Sequence, residues 1–168
     1  MPTLFLIFLV AIYLFICYQD FKSREVYLLA YIVLYGIYAG AIITSSLPVN
    51  IDFVIINSCL LIAVTSLLFM YYLVKYSSYA IIKLRASIGL GDVLLLPAFA
   101  LSFSPGNLII VFVSSLIISL GYHAFKIIRP DGIKTIPLAG IQSFLLSVIL
   151  IADFFGVCKM QIDYFPLF

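Results

Sequence analysis

The sequence predicts an all-α polytopic membrane protein of about six transmembrane helices, one domain over residues 1–168, with its N-terminus outside. Three observations lead there. Of the 168 residues, 65% are hydrophobic and 10% charged, against ~25% charged in an average soluble domain. With a mean hydropathy of +1.29, a water-soluble fold of this size could not hide its apolar surface, so the solvent must be lipid. The apolar residues also fall into long runs, and no polar stretch between them is long enough for a second domain.

The first run, Leu4 to Tyr18, holds no charge until Asp20. At about 1.5 Å rise per residue, the chain from Pro2 to Asp20 is about long enough to span a bilayer core. No basic residue precedes the run and no small-residue cleavage site follows it, so it reads as an uncleaved anchor. Val26 to Thr44 is the second run, with Tyr27, Tyr31, Tyr35 and Tyr38 at helical spacing. That stripe predicts packing and interface anchoring ahead of ligand binding. After a turn at residues 45–50, Phe53 to Val74 is the third run, closing on the aromatic Tyr71 and Tyr72.

Lys75 to Ile88 is the longest polar connection, and its apolar residues suit the headgroup boundary while its cations reach anionic lipid. Val93 to Phe103 is too short to cross ~30 Å of hydrocarbon. Either that helix starts before Asp92, or it is a partial span buried among neighbours. Ser104 to Asn107 is a turn, Leu108 to Ile128 a full span, residues 129–132 a turn, and Ile136 to Phe155 the last span.

The cations orient the runs. Lys22 and Arg24 follow the first, Lys75, Lys83 and Arg85 the third, and the end of the fifth and its turn carry Lys126, Arg129 and Lys134; only Lys159 falls on the other side. Eight of the nine basic residues therefore share a face, which the positive-inside rule makes cytoplasmic. The expected location is the cell inner (plasma) membrane. The net charge of +2 does not suggest nucleic acid.

This topology brings two acids to one rim. Asp20 ends an inward-running span and Asp92 begins an outward-running one, both near the inner boundary with little polar company. Asp52, Asp153 and Asp163 fall toward the outer face, while Glu25 and Asp131 sit in basic turns. Two carboxylates brought close tend to share one proton. The ionised one can take a proton from water and the protonated one can polarise a carbonyl, which together hydrolyse an amide without metal or cofactor.

Cap position suggests a division of labour. Asp92, as N-cap of a helix from Val93, would be the readier base, and Asp20, at the end of a helix, the readier acid. Gly89 and Gly91, flanking Leu90 in the lead-in to that helix, let a substrate backbone approach the carboxylate closely. The competing groups are weaker. Cys17, Cys59 and Cys158 form no paired motif and are expected as small buried apolar residues. His123 is the sole histidine, expected to be packed or hydrogen-bonded, and one histidine makes no metal site.

Gly89-Leu90-Gly91-Asp92 resembles the GxGD motif of intramembrane aspartyl proteases, and in length and span number the chain is similar to their prepilin and preflagellin peptidase branch. Asp20-Phe21-Lys22-Ser23-Arg24-Glu25-Val26 resembles that branch's first segment, and Ile136-Pro137-Leu138-Ala139-Gly140 its last-span opening. The resemblance implies that Asp20 and Asp92 are the catalytic pair. It implies a pilin-like precursor as substrate, with a short basic leader cut at the cytoplasmic face just before an apolar helix.

Three departures stand out. Val26-Tyr27-Leu28 replaces the family's frequent Ile-Pro-Asn, and Leu94 replaces a frequent Lys. The third is the lack of the tetracysteine zinc segment of the large bacterial type, which also N-methylates the new terminus, so the resemblance implies peptidase activity and leaves N-methylation open. The rival readings are a small proton-coupled carrier, which would place acids near the midplane, and an inactive membrane component of pilus assembly. A homo-oligomer is left open.

Overall fold

In a computed structural model the chain forms a helical bundle. The structure describes residues 3–23, 25–44, 49–76, 79, 89–127, 137–157 and 160 and, of residues 123 and 125–127, the backbone alone. Among the described residues there are six α-helices and no strand: α1 (Thr3–Ser23), α2 (Leu28–Ile43), α3 (Ile51–Tyr76), α4 (Leu90–Ser102), α5 (Pro105–Ile127) and α6 (Leu138–Phe154). Each coincides with one apolar run of the sequence.

Three helices, α1, α3 and α5, contain a stretch long and apolar enough to cross a membrane; α2, α4 and α6 are shorter apolar helices. With 13 residues, α4 reaches roughly 20 Å, well short of a bilayer core. It also starts before Asp92, so both readings allowed for this segment apply together. The residues of the long connection between α3 and α4 expected at the headgroups lie mostly outside the described ones, as do Cys158 and the side chain of His123.

α1 packs most extensively on α6 and also meets α2; α4 touches α2, α3 and α6, and α5 lies against α6 and α3. Each helix supplies one stripe to the core. Leu9, Tyr13 and Ile16 come from α1, Tyr31, Leu34 and Tyr38 from α2, and Leu95 and Phe99 from α4; all are buried. These positions recur every three or four residues, the spacing of one helix face. The other faces stay apolar and open. Ile62, Leu67 and Val74 on α3 are 64%, 71% and 84% exposed, which lipid tolerates and water would penalise. Together with the three long apolar helices, this makes the chain a membrane protein. Cys59 also sits exposed on α3 and Cys17 is partly buried, which corrects the expectation of small buried residues.

Polar side chains hold the interior together. The turn expected at residues 104–107 is tighter than that: α4 ends at Ser102 and Pro105 already opens α5, the first-turn position that proline suits. The last carbonyls of α4 lack intrahelical partners. Fully buried Asn57 of α3 serves this end, its Nδ2 donating to the oxygens of Ala100 (3.2 Å) and of Phe103 just past the helix (2.6 Å). The tyrosine stripe ties α2 to α4. Tyr31 donates to the Gly91 carbonyl at 2.9 Å, Tyr35 to that of Leu94, and the Tyr38 hydroxyl meets both Ser102 Oγ and the Tyr13 hydroxyl. Buried hydroxyls must find such partners, so packing explains most of the stripe; Tyr27 alone is exposed.

Candidate functional site

Asp20 lies within α1, because the helix runs on past it to Ser23. It is 8% exposed. A carboxylate this buried needs strong partners, and one is the amide of Gly140, which donates to Oδ2 at 2.6 Å. Gly140 is in the first turn of α6, where backbone N–H groups have no intrahelical acceptor and the helix dipole is positive. A methyl group at position 140 would stand 2.9 Å from the Phe21 ring and 3.0 Å from Asp20 Oδ2. The absence of a side chain there is what lets α1 come so close to α6.

The turn from α1 into α2 is fastened beside it. Ser23 Oγ donates to the carbonyls of Gln19 and Glu25, both at 2.9 Å, and Gln19 Oε1 accepts the Tyr27 amide at 3.3 Å.

Asp92 is the third residue of α4, and Gly89 is the N-cap. This corrects the expectation that Asp92 itself caps a helix from Val93, and it places Gly91 inside the helix. The half-buried Asp92 carboxylate takes backbone hydrogen bonds from Gly89 and Ala139 and feels the charge of Asp20. Reaching back to the N-cap amide is how an acid at the third helical position commonly steadies a helix start.

Asp20 and Asp92 thus converge on adjacent amides, Gly140 and Ala139, at the start of α6. Asp20 therefore faces the positive end of another helix, which removes the dipole reason for making it the acid. The two carboxylates repel, and the amides offset that repulsion. Such a pair favours holding a single proton between them.

The two glycines differ. Gly89 is exposed, and among the described residues a Cβ on it would come closest to Asp92, whose Oδ2 is 3.2 Å away; one on Gly91 would meet the Tyr31 hydroxyl at 3.0 Å and Ala139 at 3.8 Å. Gly91 faces its own fold, while Gly89 borders open space beside the carboxylate. Among the described residues no three His, Cys, Asp or Glu side chains gather as a metal site would need.

Reading the sequence for acids missed three neighbours of the pair. Ala139 and Gly140 lie far from both aspartates along the chain, and Tyr31, though near Asp20 in sequence, lies far from Asp92. The available signal was Pro137 ahead of two small residues at a helix start, the place where free amides gather.

The chain was compared with known proteins. A model of the type IV leader peptidase family matches residues 7–124, a stretch that holds both aspartates and ends before α6. No curated protein and no solved structure matches.

Proposed function

The chain belongs to the type IV leader peptidase family, and on that premise we propose that it is a membrane aspartyl endopeptidase. Its substrate in this reading is a pilin-like precursor, whose short basic leader it removes at the cytoplasmic membrane face. Asp20 and Asp92 are the catalytic pair, and Gly89, exposed beside the Asp92 carboxylate, borders the path of the substrate backbone, with Gly91 behind it in the first turn of α4. The observation that carries the reading is the convergence of two acids from distant parts of the chain on the first-turn amides of α6.

Chemistry follows from one shared proton. The ionised carboxylate accepts a proton from water as the oxygen attacks the scissile carbonyl carbon. The protonated carboxylate hydrogen-bonds the carbonyl oxygen as it gains negative charge. The tetrahedral intermediate then collapses, the C–N bond breaks, and the amine leaves with a proton from the pair. The amides of Gly140 and Ala139 keep the carboxylates aimed throughout.

The positions of the acids favour an enzyme over a carrier. Asp20 is near the end of α1 and Asp92 near the start of α4, whereas transport sites are expected near the midplane. The clustering of cations in the turns next to these ends supports a cytoplasmic site.

The test is leader removal. The full chain is expressed with a precursor bearing a short basic leader before an apolar helix, and Asp20→Asn and Asp92→Asn are compared with wild type. Each variant is expected to leave the precursor uncut. Leader removal that persists in both would refute the aspartyl mechanism.

A further inference from the structure

Tyr31 stands apart within the α2 stripe. Its side chain is 1% exposed, and its hydroxyl donates to the Gly91 carbonyl at 2.9 Å. In a helix that carbonyl already belongs to the amide four residues on, so the bond rescues no orphan on α4. Its effect is positional: it ties α2 to the first turn of α4, next to Asp92.

The hydroxyl also lies near enough to Asp92 and Asp20 to feel both charges. The hydroxyls of Tyr35 and Tyr38 serve Leu94, Ser102 and Tyr13 farther along the bundle. A side chain at position 91 would crowd the hydroxyl, since even a Cβ would stand 3.0 Å from it. Gly91 and Tyr31 therefore form a matched contact.

We propose that Tyr31 is a positioning residue for the aspartate pair: by holding the Gly91 carbonyl it keeps the first turn of α4, and so Asp92, facing Asp20. This rests on the peptidase reading above. Gly91 then serves the internal geometry of the site, and Gly89 the approach of substrate.

Tyr31→Phe keeps the ring and removes one oxygen. Cleavage of a synthetic precursor by the full chain in detergent is expected to show kcat lower by about tenfold or more, since small displacements of reacting groups carry losses of that order. KM should stay within about twofold, because substrate binding is untouched. Tyr38→Phe is the comparison: it also loses a buried hydroxyl but is expected to lower the thermal midpoint and leave kcat unchanged.

A second measurement does not depend on the single variant. The added methyl of Gly91→Ala clashes with the hydroxyl, so Gly91→Ala combined with Tyr31→Phe should lose less activity than the two single losses multiplied. Wild-type kcat in Tyr31→Phe, a change in KM alone, or purely multiplicative losses would overturn the role of Tyr31. With Asp20→Asn and Asp92→Asn inactive in the same assay, the peptidase reading would survive that result. Cleavage persisting in those two variants would overturn both.

Discussion

Replacing Gly140 with alanine probes the contact on which the aspartate pair is built. The new methyl would lie 3.0 Å from Asp20 Oδ2 and 2.9 Å from the Phe21 ring. Phe21 is 41% exposed, edge-on to Tyr122, and can swing outward. Asp20 has less freedom, being buried and bonded to the Gly140 amide itself at 2.6 Å. Ordinary contact begins near 3.4 Å, so the carboxylate must retreat by about 0.4 Å (3.4 less 3.0), the kind of local shift that overpacking forces.

The hydrogen bond would lengthen but survive. Alignment with Asp92 would suffer more: if ~1 Å of misplacement loses about a hundredfold, the expected loss here is several-fold to tenfold, roughly 1–1.4 kcal/mol of barrier. Stability should change less. Alanine gains about 0.8–1 kcal/mol of helix propensity against about 1–3 kcal/mol of overpacking, leaving a net loss between roughly zero and 2 kcal/mol. The assay is the initial rate of precursor cleavage in detergent, with Gly36→Ala as control, since a methyl there meets nothing within 4 Å. Equal, wild-type rates in both variants would refute the assignment of Gly140 as a support of Asp20.

The shared proton predicts a bell-shaped dependence of cleavage rate on pH, with activity lost when both carboxylates are ionised and when both are protonated; a monotonic profile measured in micelles would contradict it. Asp92→Asn is expected to abolish cleavage yet unfold near the wild-type temperature, because a pair that holds one proton keeps the same single charge when one carboxyl becomes an amide of nearly the same shape, and a markedly lower thermal midpoint would count against one shared proton. Asn57→Ala should destabilise the bundle by about 1–3 kcal/mol through the freed carbonyls of Ala100 and Phe103, seen in thermal unfolding, while leaving the rate per folded molecule unchanged.

Much of this architecture is legible in residue order, and what is not has a physical reason. The six apolar runs mark the six helices because hydrophobicity is a local property. Their ends are less legible: Asp20 looks like the boundary of the first run, yet α1 continues to Ser23 because the carboxylate finds the Gly140 amide and need not leave the bundle. Asp92 looks like a cap, and the cap is Gly89, since backbone geometry rather than side-chain chemistry decides that position. Asp20 and Asp92 stand out because charge is expensive in such a chain. Gly140 does not, although its amide touches Asp20 from 120 positions away. A small residue carries no mark of what approaches it. Tyr31 shows the same limit, because its spacing fits the packing stripe equally well.

The central claim is that Asp20 and Asp92 meet beside the start of α6. A direct test is cross-linking of an Asp20→Cys/Asp92→Cys double variant by a short thiol-specific reagent, in the full chain with Cys17, Cys59 and Cys158 replaced. Ser104→Cys/Met160→Cys serves as reference, because the Ser104 amide donates to the Met160 carbonyl at 2.9 Å. The account predicts that both pairs link. A linked reference with an unlinked aspartate pair would contradict it.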